Sequence, residues 1–199
     1  MDIIWEQIRA LAEDSDGFIR TSQVEDAGIS RPMLKKYMDA GQLERVRKGL
    51  YIMKDGLADE YSLLQAQCPK AVYSYGTALF LWGMSDRTPH LIDITVPHGT
   101  NLSRLRRDNR SLRCHYVQKD FYQLGITETV SPQGGRARVY DKERCICDLI
   151  RDKDQMELQL FTQAIKDYFK GKTNPRRLLK YGKLFGIEDK IRTYMEVLQ

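Results

Sequence analysis

The N-terminal quarter of the chain contains three helical patterns followed by a short basic hairpin, and this order limits the possible folds more than any other feature. Apolar residues recur at helical spacing from residue 2 to residue 13, which predicts a first helix. Thr21 or Ser22 can cap a second helix over about residues 22–27, with Glu25 in position for a capping box. The segment therefore predicts two short helices separated by a polar break.

A third helix is predicted directly after the turn "AGIS". Ser30 can cap it, and Pro32 lies in its first turn, where the missing N–H of proline does no harm. Gly41 ends the helix, because glycine tolerates the left-handed backbone that follows many helices. The inward stripe of this helix is Met33, Leu34, Tyr37 and Met38.

Two short strands follow the third helix. They are predicted at Leu43–Val46 and Leu50–Met53, joined by the basic turn "RKG" that ends at Gly49. Residues 18–19, further upstream, are predicted as a short apolar link. Helix, helix, turn, helix and hairpin is the order of a winged helix-turn-helix domain.

The polar joint "KDGLADE" separates this predicted winged helix-turn-helix domain, residues 1–56, from a predicted second domain, residues 60–199. The second domain mixes helical and strand patterns. Its predicted helices are Tyr61–Cys68, Thr77–Met84, Arg144–Ile150 after the cap Asp141, and three near 156–169, 175–184 and 188–198. Its predicted strands are Leu91–Val96, Ser111–Val117, Ile126–Val130 and Arg136–Tyr140, with a basic loop or short helix over 99–110. The predicted class is α+β: the winged helix-turn-helix, then a larger mixed α/β domain that ends in a helical segment.

The chain has a formal net charge of +5 and a pI of about 9.0, and its cations are concentrated in blocks. The first block falls on the third helix and the hairpin, whereas the first two helices are acidic. A recognition helix presents its N-terminal side chains to base edges, and a hairpin tip can enter the minor groove or lie on phosphates. The candidate DNA-binding residues are Ser30, Arg31, Pro32, Lys35, Lys36, Arg45, Arg47 and Lys48. The alternative is a solubilising face with no partner.

Two further basic blocks lie in the predicted second domain. One contains Arg104, Arg106, Arg107, Arg110 and Arg113. The other includes Arg176, Arg177, Lys180 and Lys183 on a predicted helix. Each block is interpreted either as a contact for an acidic partner such as DNA, RNA or an acidic protein, or as a solvated surface.

Signals for metal binding, catalysis and export are weak. The four cysteines are irregularly spaced and form no CxxC pair, so we expect reduced thiols, no zinc site and no cofactor. No P-loop, GxSxG or HExxH motif occurs, so we expect no enzyme. Asp148 and Asp152 could in principle hold a metal, but a surface of ion pairs that includes Arg144–Asp148 is the preferred interpretation. With no long apolar run and no signal peptide at the start, we expect no membrane partner and a cytoplasmic location.

Four segments, taken together, resemble a known family. They are "ISRPMLKKYMDAGQLERVRKGLY", "YSYGTALFLWGMSD", "PHLIDITVP" and "RVYDKERCICDLIR". Their order and spacing resemble the AbiEi antitoxins of the bacterial abortive-infection AbiE system, over nearly the whole chain. These antitoxins belong to type IV toxin–antitoxin systems, which act in phage resistance.

The resemblance implies two activities. The N-terminal domain would bind inverted repeats in its own promoter and repress the operon, with the eight candidate residues at the DNA. The C-terminal domain would neutralise a nucleotidyltransferase-like toxin, without a stable complex being required. The candidate antitoxin surface is Arg104, Arg106, Arg107, Arg110, Arg176, Arg177, Lys180 and Lys183. We expect a monomer in solution and cooperative binding of two copies to the inverted repeat, because one such module reads only a few base pairs.

Two alternatives stay open at this point. One is a stand-alone winged-helix transcriptional regulator whose C-terminal domain senses a ligand or dimerises. The other is an enzyme that acts on nucleic acid with a metal held near residues 148–152.

Overall fold

The computed structural model describes residues 2–54 and 59–198, and these fold into two compact units. The first unit is Met1–Pro69 with Val130–Arg136, and the second is Lys70–Thr129 with Ala137–Gln199. Residues 55–58 of the predicted joint lie outside the described residues. The domain limits predicted from the sequence, 1–56 and 60–199, stay a prediction.

The first unit combines four helices with one small sheet in its described residues. The helices are α1 (Ile3–Glu13), α2 (Thr21–Asp26), α3 (Arg31–Asp39) and α4 (Glu60–Gln67). The strands are β1 (Phe18–Arg20), β2 (Leu43–Arg47) and β3 (Leu50–Met53), in the antiparallel order β1-β3-β2. This arrangement confirms the predicted winged helix-turn-helix class.

The apolar link predicted at residues 18–19 is in fact the strand β1. Phe18 pairs with Ile52, and Arg20 pairs with Leu50. Three residues are too few to show the alternation of a strand in sequence. Pairing with β3 along the sheet edge decides their conformation.

The predicted cap of α2 is wrong by one residue. The helix begins at Thr21, so Arg20 is its N-cap residue, and Gln23 Oε1 accepts a hydrogen bond from Arg20 N at 3.1 Å. Thr21 N donates to Gly49 O at 3.1 Å, which ties the start of α2 to the hairpin. Because this long-range bond sets the start of the helix, Glu25 is not part of a capping box and is available for another contact.

The helix α3 ends as its sequence predicts. Gly41 has a φ of 70°, and it donates to Met38 O at 2.9 Å while Gln42 N donates to Tyr37 O at 2.9 Å. This pair of bonds is a Schellman motif. Leu34 and Tyr37 are buried, and Met33 and Met38 pack against the same core, so the predicted stripe is confirmed. The core that positions α3 consists of Ile8, Ala12, Ile19, Val24, Ile29, Leu34, Tyr37, Leu43 and Tyr51.

A buried carboxylate holds α4 against a distant loop of the same unit. Asp59 Oδ2 accepts hydrogen bonds from Ser62 N and Ser62 Oγ, each at 2.7 Å. Asp59 Oδ1 accepts a third from Ser131 Oγ at 2.7 Å. Asp59 thus caps α4 and joins it to residues 130–136, a connection that the sequence does not predict.

The second unit contains a five-stranded sheet with the order β6-β5-β4-β8-β7. Its strands are β4 (Val72–Tyr73), β5 (Ile92–Pro97), β6 (Leu112–Val117), β7 (Ile126–Val130) and β8 (Arg136–Tyr140). Its helices are α5 (Tyr75–Leu81), α6 (Ser103–Asp108), α7 (Lys119–Gln123), α8 (Lys142–Arg151), α9 (Leu158–Lys170), α10 (Pro175–Phe185) and α11 (Glu188–Leu198). The sheet is mixed: β4 is antiparallel to β5, while β5 runs parallel to β6 and β4 parallel to β8. The two-residue strand β4 and the short helix α7 were not predicted, since neither is long enough to show a period.

The helix α8 lies in the core of the second unit, where it packs against α5, α9, α10 and α11. Asp141 caps it as predicted, because Asp141 Oδ1 accepts a hydrogen bond from Arg144 N at 2.8 Å. The pair Arg144–Asp148 also forms, with Arg144 Nε 2.9 Å from Asp148 Oδ2. The expectation that this pair lies at the surface is wrong, since both side chains are almost completely buried.

The described residues contain neither a membrane-spanning helix nor a metal-binding cluster. They contain no helix that is both long and apolar enough to cross a bilayer. They also contain no group of three or more His, Cys, Asp or Glu side chains arranged to hold a metal ion. The four cysteines are free: Cys145 and Cys147 are buried, and Cys68 and Cys114 are half-buried.

Candidate nucleic-acid interface

The outer face of α3 is centred on a single lysine. At about 100° per residue, Arg31, Lys35 and Asp39 follow one another along the side opposite Leu34 and Tyr37. All three side chains of this outer row are exposed. Within the described part of the chain, Lys35 has no ion-pair partner, so its charge is available to an external anion.

Arg31, at the first position of α3, is bound to an acid from the preceding helix. Its Nε donates to Glu25 Oε1, and its Nη2 donates to Glu25 Oε2 at 3.1 Å. The hydrogen bond from Arg31 lowers the pKa of Glu25 below its ordinary value. The pair fixes the direction of the guanidinium and leaves its remaining N–H groups to face outward.

Lys36 lies one residue further round the helix and faces the start of α1. Its Nζ is 3.5 Å from Asp2 Oδ2 and 5.4 Å from the centre of the Tyr37 ring. Asp2 also accepts a hydrogen bond from Tyr37 Oη at 2.9 Å, and this bond is the main reason that the pKa of Asp2 is lowered. The predicted phosphate contact of Lys36 therefore competes with a local acid.

Ser30 and Pro32 complete the predicted reading segment, and both are exposed at the start of α3. Ser30 occupies the N-cap position, yet its hydroxyl makes no capping hydrogen bond. That hydroxyl is consequently not required by the helix and can be presented to a ligand.

The three hairpin cations differ in their surroundings. Arg47 Nε donates to Ala66 O at 2.6 Å, so it caps the last turn of α4 and is only half exposed. Arg45 is exposed and makes a long contact of 3.4 Å with Arg47 O. Lys48 is exposed at the tip, beside Gly49 with its φ of 77°. Of the three, Lys48 is the one whose side chain makes neither a hydrogen bond nor an ion pair with any described residue.

The first C-terminal basic block is partly neutralised by its own helix. The side chains of Arg104 and Arg107 approach Asp108 at 3.6 Å and 3.2 Å. Arg106 lies over the ring of Tyr116 at 5.7 Å, and Arg110 is exposed just after α6. The last member, Arg113, lies 3.3 Å from the buried carboxylate of Asp93 on the neighbouring strand.

The second C-terminal block forms a clean stripe on α10. Arg176, Lys180 and Lys183 are exposed and recur at helical spacing. Arg177 points elsewhere, since its Nη1 lies 3.5 Å from Asp141 Oδ2 and 3.7 Å from Glu143 Oε2. Arg177 is therefore a link between α10 and the start of α8 rather than a member of the stripe.

Sequence reasoning missed the partners that decide which cations are available. Three candidate cations are bound by groups on other elements: Arg31 by Glu25, Lys36 by Asp2, and Arg47 by the Ala66 carbonyl. In none of these pairs do the two residues lie four positions apart on the same helix. No spacing rule relates residues on different elements, so the sequence carries no signal for these contacts.

Comparison with known proteins supports the N-terminal assignment. Residues 6–54 match the model of the family AbiEi_4, described as "Transcriptional regulator, AbiEi antitoxin". The matched segment spans most of α1 and all of α2, α3 and the β2–β3 hairpin, and it confirms the resemblance for this part of the chain. The chain is therefore similar to AbiEi antitoxin transcriptional regulators over residues 6–54.

The fold as a whole is similar to that of a solved structure. The crystal structure of RV2827C protein from Mycobacterium tuberculosis aligns with a TM-score of 0.60 at 15% sequence identity, covering 89% of this chain and 70% of that one. An identity this low shows a common fold and nothing about activity. No curated protein matches the sequence.

Proposed function

We propose that the chain is an antitoxin and transcriptional autorepressor whose first unit binds duplex DNA. In this proposal α3 enters the major groove and the hairpin of β2 and β3 acts as the wing. The observation that carries it is the exposure of Lys35 and Lys48, on the two elements that a winged helix presents to DNA, within residues that match a regulator family. The target is an inverted repeat in the chain's own promoter, bound cooperatively by two copies.

The contacts of the candidate residues suggest different roles at the DNA. Arg31, oriented by Glu25, and Lys35 are proposed to read base edges, where arginine and lysine pair with guanine. Lys48, Arg45, Lys36 and Ser30 are proposed to contact phosphates. Arg47 contributes by keeping α4 against the hairpin strand, because its Nε is committed to the Ala66 carbonyl.

The test of DNA binding is a mobility-shift titration of the full chain. The probes are promoter DNA from upstream of its own gene and a scrambled duplex of equal length and composition. We expect the promoter to bind more tightly at every salt concentration. Equal affinity for the two duplexes would contradict the proposal.

Lys48→Ala is expected to weaken binding to all DNA sequences by a similar factor. A wing lysine on a phosphate contributes affinity that does not depend on the base sequence, so the ratio between promoter and scrambled DNA should stay unchanged. The magnitude of the slope of log affinity against log salt should fall by about one. A slope that is unaltered across a salt series would show that Lys48 does not contact phosphate.

We further infer that the second unit neutralises a nucleotidyltransferase-like toxin in a type IV, phage-resistance system. The family description names an antitoxin, and the α10 stripe offers a coherent basic surface for an acidic partner or a shared nucleic-acid target. The α6 block is the weaker candidate, because Asp108 already offsets two of its arginines.

Replacing Arg176, Lys180 and Lys183 together with alanine is expected to abolish protection in cells that co-express the toxin. All three are exposed, and such substitutions change stability by less than about 0.5 kcal/mol each. Promoter binding should be retained, which separates this surface from the DNA-binding one. The matched variant replaces Arg104, Arg106 and Arg107 and should still protect; full protection by both variants would exclude both surfaces.

A further inference from the structure

The second unit contains a cleft that the DNA-binding and antitoxin proposals do not use. Its volume is about 530 Å³, which lies within the range of small-molecule sites. The start of α5, the strands β5 and β6, the loop 85–91 and the start of α9 line it. All of these elements belong to the second unit, so the cleft is a feature of that unit alone.

One of the residues that line the cleft carries a buried carboxylate. The Asp93 side chain is only 5% exposed, and its Oδ1 lies 2.9 Å from His115 Nε2 and 3.3 Å from Arg113 Nε. Its backbone is also fixed, since Asp93 N donates to Thr77 Oγ1 at 2.8 Å. Its Oδ2 makes no hydrogen bond to any residue that the structure describes, yet it is not sealed from solvent. A fixed carboxylate oxygen that lacks a protein donor, on a residue that lines a cleft, is an acceptor for a ligand's donor.

A glycine keeps this oxygen accessible. Gly76 lies in α5 with ordinary helical geometry, and a Cβ at this position would lie 3.3 Å from Asp93 Oδ2 and 3.6 Å from Leu160 Cδ2. A side chain larger than hydrogen would therefore occupy the space directly over the carboxylate. The backbone conformation at residue 76 does not require glycine. The contribution of Gly76 is therefore the open space next to Asp93 Oδ2.

A cation stands beside the acceptor at the rim of the cleft. Arg113 uses Nε toward Asp93, and about half of its side chain is exposed, so its Nη groups are free to meet an anion. Two other charges of the wall are paired with each other, because Arg87 contacts Glu157 at 3.3 Å, whereas Asp86 is exposed on the loop 85–91. Asp93 and Arg113 are the acceptor and the cation that lie side by side in this wall, with Asp93 Oδ2 and the Arg113 Nη groups not used in their own contact.

We propose that this cleft binds a small zwitterion of the amino-acid class. The ligand's ammonium group would donate to Asp93 Oδ2, and its carboxylate would accept from Arg113. The two groups of an α-amino acid share one carbon atom, which suits an acceptor and a cation that lie side by side. Leu91, Met156 and Leu160 provide apolar surface for the ligand's side chain. The imidazole of His90 is the one aromatic ring in the described lining, which contains no Phe, Tyr or Trp ring on which a nucleobase would stack. This lining favours an amino acid over a nucleotide.

The experiment is isothermal titration calorimetry of the full chain with each standard amino acid, followed by ATP and GTP. At least one amino acid should bind saturably. Asp93→Asn should weaken that binding by about tenfold or more, since it removes a charged hydrogen bond. Gly76→Ala should weaken it as well while leaving the melting temperature of the free protein unchanged or raised, because alanine suits a helix better than glycine.

The control is Asp120→Asn, an equal change of charge at an exposed position of α7. This variant should bind like the unaltered chain. Failure of every amino acid to bind would overturn the proposal, as would binding that Gly76→Ala leaves intact. Binding of a nucleotide in place of amino acids would overturn the ligand class. The inference does not depend on DNA binding, so each can fail without the other.

Discussion

The double replacement of Arg31 and Lys35 with alanine is expected to abolish the preference of the chain for its own promoter. Each bidentate or close base contact discriminates by about 1–3 kcal/mol, so the pair together contributes about 2–6 kcal/mol of specificity. Both residues lie on the outer row of α3, and neither belongs to the core that holds the helix. The variant should therefore fold normally and bind promoter and scrambled DNA alike.

The measurement is a competition mobility shift at fixed salt, with the unaltered chain and Arg9→Ala as references. Arg9 is an exposed cation on α1, 3.8 Å from Glu6, so its removal changes the charge of the unit without touching α3. Glu25→Gln provides a second comparison, because it keeps the size of the residue and weakens the pair that orients Arg31. We expect this variant to lose specificity while retaining affinity for scrambled DNA. A double variant that still selects the promoter would remove α3 as the reading element.

The second large effect is expected from Arg144→Met in the core of α8. Arg144 is 1% exposed and its Nε donates to Asp148 Oδ2 at 2.9 Å. Its Nη1 also donates to the carbonyls of Phe121 and Leu124. Removing one partner of a buried ion pair costs about 3–5 kcal/mol, and Asp148 would keep only Arg151, at 3.3 Å, to offset its charge. Denaturant unfolding should show this loss at neutral pH.

The loss should depend on pH in a defined direction. Burial raises the pKa of Asp148, against the opposing effects of Arg144 and Arg151. Without Arg144 the pKa in the folded state rises further above the unfolded value of about 3.9. A carboxyl with a raised folded pKa favours folding when protonated, so the stability of the variant falls as the pH rises above that unfolded value. The stability deficit of the variant should accordingly be smaller at about pH 4 than at about pH 7.

Two comparisons separate burial from simple loss of an arginine. Arg192→Met removes the same side chain from another i,i+4 pair, Arg192 with Glu188 at 2.6 Å, on the exposed helix α11. Its cost should be below about 0.5 kcal/mol. Arg144→Met combined with Asp148→Leu should recover part of the stability, because the buried carboxylate is gone. The recovery is partial, since the Phe121 and Leu124 carbonyls still lack their donor and Arg151 loses its contact with Asp148. Equal losses in the Arg144 and Arg192 variants would contradict the role assigned to burial.

Much of the first unit was predictable because its signals are local. Pro32, Gly41 and the stripe around Leu34 act within a few residues, and α3 begins and ends where they indicate. The three-residue strand β1 and the start of α2 were not predictable. Both depend on pairing with the hairpin, including the bond from Thr21 N to Gly49 O.

For the candidate site, too, local features were predictable from the sequence and long-range contacts were not. The sequence indicated which residues carry charge and on which elements they lie, and Lys35, Lys48 and the α10 stripe are exposed in the structure. It did not indicate that Arg31 pairs with Glu25 or that Arg47 binds the Ala66 carbonyl. It also placed Arg144 at the surface, because i,i+4 spacing is identical for an exposed pair and a buried one.

By itself, the sequence determined the order of the elements, the class of the first unit and the location of its cationic blocks. Periodicity, capping and turn chemistry operate over a few neighbouring residues, so they can be read without coordinates. Only the tertiary structure decided which of those charges are neutralised, which are buried, and that Asp93 and Arg113 stand together in a cleft. These outcomes depend on contacts between residues far apart in the chain, where distance and desolvation, not spacing, set the energy.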